Sequence, residues 1–404
     1  MLATRRLLVL AICLYIVLPL PWIIWRPEAL FYRFDLDKLP AIALAGLVFV
    51  AGWISGEKLR LRGDCFAQDA AETPRGWPAA NVAIVLALLC SLGANLTLYS
   101  MGALTIDEST GRERIPIVTT LASAHIFALI YSGCLIFTSR APRVQRGILV
   151  LAVLSAAATV GIGLVEGRRT AVVLPIVVYI ALAIVSGRHR LLRALLWTTP
   201  LFVALVALTT YYRTTVSEDT DVPDAAWLIA GDAAVGRLGN PLLILDPILG
   251  NIESERHPLD PHTLQSVLAD LPNFGLVAAP FETGFGNELG RDLGLLPAGN
   301  DFTGINSGWI GELLMLGGHW AVFVGGVALA FLAGSAWQLI AVAHPAGLFL
   351  RVMVVIFVIS GFQMEVAFPI ASLVRAAVIA LVLAFLERVA GWAHQPETPC
   401  LSAG

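Results

Sequence analysis

Charge is scarce in this chain: Asp, Glu, Lys and Arg together make up 14% of its 404 residues, against about a quarter in an ordinary soluble domain. Lys38 and Lys58 are its only lysines, and the net charge of -3 gives no general attraction for nucleic acid. Cysteine is sparse too. Cys13, Cys90 and Cys134 fall in apolar runs, Cys65 and Cys400 in short polar ones, and none lies between residues 213 and 307, so no exported disulfide framework is expected. Neither a GxSxG elbow nor a P-loop occurs. His257 and His262, in HPLDPH, miss the i, i+4 spacing that puts two metal ligands on one helical face, so metal binding has no support and no cofactor is expected.

Apolar sequence is what the chain has. It is 57% hydrophobic with a mean hydropathy of +0.80, which reads as a membrane protein. A span needs about 20 apolar residues. That criterion selects roughly 7–25, 39–55, 79–99, 116–138, 147–165, 170–186 and 192–212, and, after a long polar interval, 319–343, 347–364 and 369–387. Lipid cannot satisfy free backbone groups, so these runs are expected to be helices. The expectation is an all-α polytopic membrane protein with about ten transmembrane helices. Its parts are an N-terminal membrane region 1–212, one large extracytoplasmic loop 213–307, and a C-terminal membrane region 308–404 with a short cytoplasmic tail. Arg5 and Arg6 precede the first run as in a signal peptide, but no small-residue cleavage site follows, so an uncleaved span is expected.

Orientation follows the basic residues of the short loops. With the N-terminus inside, the cytoplasmic side collects Arg5, Arg6, Lys58, Arg60, Arg62, Arg75, Arg140, Arg143, Arg146, Arg188, Arg190 and Arg193. The alternation then puts the hairpin Val165-Glu166-Gly167-Arg168-Arg169-Thr170 outside, where two adjacent arginines run against the positive-inside tendency. The loop 213–307 is also outside and too long for a passive connector. Within it, Asp260-Pro261 followed by Leu264, Val267, Leu268 and Leu271 reads as an amphipathic helix, and a weaker helix is expected over 225–238. The glycines of 281–309 predict a stretch that folds back toward the membrane.

Arg213, Arg237, Arg256 and Arg291 are the only basic side chains of this loop. Arg375 lies about two turns inside the outer end of the last run, where an intramembrane charge needs a partner or a ligand. Arg168, Arg169, Arg213, Arg291 and Arg375 together suit a cationic pocket for a lipid-linked pyrophosphate, because guanidinium groups grip phosphate oxygens bidentately. Plainer readings stand beside this one. Arg168 and Arg169 also suit snorkelling to the interface, Arg375 an ion pair with Glu365, and His125 a hydrogen-bonded packing role. Glu312 reads as a helix-start residue, favoured at the positive end of the dipole.

Gly311-Glu312 opening a helix, the Gly317-Gly318 turn, the Gly325-Gly326 span and the Gly167-Arg168 hairpin resemble bacterial oligosaccharide repeat-unit polymerases of the Wzy type. In that family a Gly-Ser-Arg-type segment precedes a span; here the arginine is doubled and no serine stands in the register. The resemblance implies a glycosyltransferase of the C superfamily in the bacterial inner membrane, with the large loop periplasmic. It would move a growing glycan from undecaprenyl pyrophosphate onto a lipid-linked repeat unit. Donor and acceptor lipids, surrounding membrane lipids, a flippase and a chain-length regulator are the partners it implies, with no nucleic acid and no metal. The arginines above would then neutralise pyrophosphate, and the base for the acceptor hydroxyl would come from Glu282, Glu288, Asp301, His257 or His262. The same layout admits an O-antigen-ligase-like enzyme, with a loop histidine more prominent, or a flippase that moves the lipid-linked glycan without chemistry.

Overall fold

The computed structural model describes residues 2–26, 34–59, 77–100, 118, 121–138, 142–165, 169–188, 193, 226–253, 285–294, 305, 307–340 and 344–393. The described residues form helices and no strands: α1 Leu2–Ile12, α2 Leu20–Trp25, α3 Leu39–Leu59, α4 Trp77–Ser100, α5 Ala124–Thr138, α6 Pro142–Val165, α7 Arg169–Val185, α8 Ala226–Glu253, α9 Phe285–Asp292, α10 Gly308–Gln338, α11 Pro345–Ser360 and α12 Ala367–Ala393. Segments Thr4–Trp25, Leu36–Leu59, Asn81–Ser100, Gly308–Gln338 and Pro369–Leu386 are long and apolar enough to cross a membrane. The chain is an all-α membrane protein.

The first run is not one straight helix. A π-helical turn, Cys13–Val17, separates α1 from α2, and Leu18 N–H donates to the Cys13 carbonyl five residues back at 2.8 Å. Pro19 and Pro21 follow; without N–H groups they cannot continue an ordinary ladder.

α10 is two helical arms, not one long span. Gly317 (φ -178°, ψ 33°) and Gly318 (φ 61°, ψ -151°) interrupt it, and the positive φ at Gly318 lies in the region that favours glycine. The arms fold back on each other: a Cβ at Gly325 would lie 2.5 Å from Leu313 Cδ1. An unbroken helix would hold these two residues about 18 Å apart. Residues 319–338 therefore form the membrane-length arm, starting where the hydropathy of the sequence places the span, while 308–316 is a short re-entrant arm beside it.

The long arm lies on α3 with backbones in contact. Cβ atoms at Gly52 and Gly56 would collide with the carbonyl oxygens of Phe323 and Val327, and one at Gly326 would lie 2.8 Å from the Phe49 carbonyl oxygen. Partner numbers rise together, so the two helices run parallel. Gly52-x-x-x-Gly56 is thus a small-residue seam that lets the two backbones meet.

Two expectations are corrected here. The helix expected over 225–238 runs on to Glu253, through Pro241 and Pro247. Each proline sacrifices a helical bond at about 3 kcal/mol, but Leu242, Leu243, Ile244, Leu245, Ile248 and Leu249 are all buried, and that burial outweighs the loss. This part of 213–307 belongs to the core. Glu312 is no first-turn residue of its own helix; its carboxylate serves another helix, described next. The expected run 192–212 and the helix expected over 260–271 lie outside the described residues, Arg193 apart.

Candidate functional site

Trp309, near the start of the re-entrant arm, is fully buried and stands at the centre of a ring cluster. It stacks on Trp53 at 6.2 Å and 21°, and its ring centroid lies 4.9 Å from Phe357, 6.1 Å from Phe362 and 6.2 Å from Phe49. Phe362 also stacks on Tyr15 at 6.0 Å. The cluster joins the π turn, α3, the re-entrant arm and the turn between α11 and α12. Gly308 and Gly361 allow it: a Cβ at Gly361 would collide with the Trp309 ring, and one at Gly308 would lie 2.5 Å from the Phe362 carbonyl oxygen. Trp309 N–H donates to the Gly361 carbonyl at 3.0 Å. A small cavity lined by Ile16, Pro241, Leu245, Ser307, Trp309 and Phe362 lies here. Ser307 Oγ and Trp309 Nε1 are buried with no hydrogen-bond partner among the described residues.

The α11–α12 turn is held by two carboxylates. Val366 N–H, just before α12, donates to buried Glu312 Oε2 at 2.5 Å. One residue earlier, Glu365 Oε1 accepts from Gly286 N–H at 2.8 Å, and Ile305 N–H donates to the Gly286 carbonyl at 2.9 Å. Glu312 thus acts at a positive helix end as its residue type suggests, but the helix is α12. α9 is tied down at its first turn by Glu365. The polar stretch 285–307 therefore returns to the helical core at both of its described ends.

Among the site residues read from sequence, α9 carries Glu288 and Arg291, three residues apart on one face and both half-buried. Glu288 lies in the first turn and Arg291 in the last, each matched to the helix dipole. Arg375 lies on α12, about two turns beyond its start, and is half-buried. Arg169 is the first residue of α7. Arg168, Arg213, Glu282, Asp301, His257 and His262 lie outside the described residues. His125 has the packing role read for it: it is buried, with Nδ1 2.8 Å from the Ala122 carbonyl and 2.9 Å from Ser91 Oγ.

Asp246 was not singled out by sequence. It is buried on α8, where it accepts from Asp35 N–H at 2.6 Å and pairs with Lys38 Nζ at 3.5 Å. Burial pushes its carboxyl above the ordinary carboxylate range, while the Asp35 N–H and the Lys38 charge pull it back. At the far end of α3, buried Glu57 accepts from Thr4 Oγ1 and from Arg5 Nε at 2.5 Å. No cluster of metal-ligating side chains occurs among the described residues. Compared with protein-family models, with curated proteins and with solved structures, the chain matches none.

Proposed function

We propose that this protein is a polysaccharide repeat-unit polymerase, a multi-pass glycosyltransferase of the C-superfamily type in the bacterial inner membrane. In this reading the N-terminus is cytoplasmic, about ten helices span, and 213–307 forms the periplasmic loop. The observation that carries it is the return of that loop to the helical core: α9, with Glu288 and Arg291, is tethered to the turn that opens the helix of Arg375. An acid and two cations on elements joined by one hydrogen bond suit a reaction that needs a base and a phosphate clamp.

The reaction is a displacement at an anomeric carbon. The acceptor hydroxyl of a lipid-linked repeat unit forms the new glycosidic bond as the bond to undecaprenyl pyrophosphate breaks. The hydroxyl proton passes to a carboxylate, for which Glu288 is the candidate among the described residues, and the leaving pyrophosphate is neutralised by Arg375, Arg291 and the Arg168-Arg169 pair. No metal or cofactor enters the scheme.

The deciding experiment incubates the purified full chain with a defined lipid-linked repeat unit and reads product mass. Ladders of carrier-linked multimers are expected, and Arg375→Ala is expected to lower their rate by about 100-fold or more. Transfer only to a different final acceptor would make it a ligase. Movement of the lipid across proteoliposomes without a new glycosidic bond would make it a flippase, and either result ends the polymerase reading.

A further inference from the structure

α9 has only eight residues, too few to hold a helical form alone, because nucleation costs more than so short a ladder returns. What sets its position is therefore its tertiary contacts: Leu289 is buried in the core, and the helix start is fixed by hydrogen bonds. Its second residue, Gly286, is buried and donates to Glu365 Oε1, while its carbonyl accepts from Ile305. The approach is close enough to require glycine: a Cβ there would lie 2.9 Å from the Ile305 carbonyl oxygen and 3.3 Å from Glu365 Oε1. Glu365 itself sits on a turn with little freedom. Its neighbour Val366 is held by Glu312, and Gly361, at the head of the turn, is pressed against Trp309. The tether thus joins a short helix to a turn packed against the buried Trp309 ring.

We propose that Glu365 is the positioning residue of the transfer site, acting as a hydrogen-bond acceptor that fixes the α9 N-terminus and so holds Glu288 and Arg291 in register with the helix of Arg375. This rests on the transferase reading above. A purely acceptor role has a distinctive consequence: the amide oxygen of glutamine can still accept from Gly286 N–H, whereas alanine cannot serve it.

The test uses the full chain in nanodiscs, with two readouts on Glu365→Ala and Glu365→Gln. Hydrogen–deuterium exchange over 285–292 is expected to accelerate in the alanine variant and return to the native rate in the glutamine variant. With lipid-linked repeat unit as substrate, Glu365→Ala is expected to lower kcat about 100-fold with KM within about threefold, as misplacement of a reacting group by about 1 Å does, and Glu365→Gln is expected to restore it. Gly286→Ala attacks the same tether from the other side and should reproduce the alanine phenotype if Glu365→Ala yields no folded protein. Unchanged exchange over 285–292 in Glu365→Ala overturns the proposal. So does a glutamine variant as inactive as alanine with α9 still protected, which would assign Glu365 a role through its charge. If the native chain makes no glycosidic bond, the functional reading falls, and the exchange measurement alone still decides the tether.

Discussion

The α3–α10 pair and the α4–α6 wall are both built from apolar helices, yet different forces hold them. Between α3 and α10, glycines let backbones touch, and Trp53 and Trp309 stack across the seam. Glu57, Asp246 and Glu312 are buried on α3, α8 and α10. By contrast, α4, α5, α6 and α7 contain no carboxylate at all. Leu86, Leu89 and Leu92 on α4 and Val150, Val153 and Leu154 on α6 face outward, and Gly93, Gly147 and Gly161 have nothing within 4 Å of where a Cβ would stand. The wall's described cross-helix polar link is the Ser91–Asn95–His125 group around the Ala122 carbonyl. One region spends stability on buried charge and close backbone approach; the other presents a surface suited to lipid.

Tryptophan substitution should separate the two environments most strongly. Trp309→Ala is expected to cost about 3–5 kcal/mol, the range for removing a fully buried aromatic, read as a lower melting midpoint of the detergent-solubilised protein. Trp320 is 77% exposed at the start of the long arm, and Trp320→Ala is expected to stay within about 0.5 kcal/mol. Equal losses would erase the distinction between core ring and lipid-facing ring.

Glycines sharpen it next. Gly56→Leu must push α3 away from the Val327 carbonyl and is expected to cost about 2–3 kcal/mol, whereas Gly147→Leu in the wall meets open space. Size-exclusion profiles after heating distinguish them. A Gly147→Leu protein as unstable as Gly56→Leu would mean that the wall is packed as tightly as the centre.

Buried acceptors give a more even contrast. Glu312→Ala removes the acceptor of Val366 N–H, and Asn95→Leu removes the donor that ties α4 to the Ala122 carbonyl before α5, together with a bond inside α4 to the Ser91 carbonyl. Each is expected to cost about 1–3 kcal/mol. Glu312→Gln, which keeps an acceptor oxygen, should recover part of the loss, measured by the same melting curves. If it recovers none, Glu312 is needed for its charge.

How much of this was legible in the sequence depends on the kind of signal. Long apolar runs are strong signals, and α3, α4, α6, α7, α11 and α12 lie close to where hydropathy puts them. The Gly317-Gly318 break was legible as a turn through the family resemblance, and adjacent glycines before a hydrophobic run suit one. What it does with 308–316 was not, since a nine-residue apolar stretch reads the same whether it extends a span or doubles back. α8 was half legible: Pro241 and Pro247 are poor helix residues locally, and only the burial of Leu242 to Leu249 overrides them. Glu312 and Glu365 were visible as residues but not as caps, because their partners are backbone N–H groups, 54 positions away at Val366 and 79 away at Gly286. No local spacing encodes a contact of that kind.

Asp246 gives the smallest expected effect and the one whose direction is least obvious. The buried carboxyl has an opposite charge in Lys38 and a donor in Asp35 N–H, both of which favour its ionised form, but burial acts more strongly and leaves it above its ordinary range. The folded protein therefore holds this proton more tightly than the unfolded chain does. Its contribution to stability is complete below the ordinary carboxylate range and is lost as pH rises through the raised value. Asp246→Asn removes the titration while keeping an acceptor for Asp35 N–H. Melting midpoints of the native protein are expected to decline slightly as pH rises through that window, and those of Asp246→Asn to stay flatter. Lys38→Met is expected to steepen the decline, because an ionised Asp246 would then lack the cation that offsets its burial. A native midpoint that instead rises with pH across the window, and an Asp246→Asn protein that loses the rise, would mean that Lys38 and Asp35 dominate, making this pair a net anchor of α8.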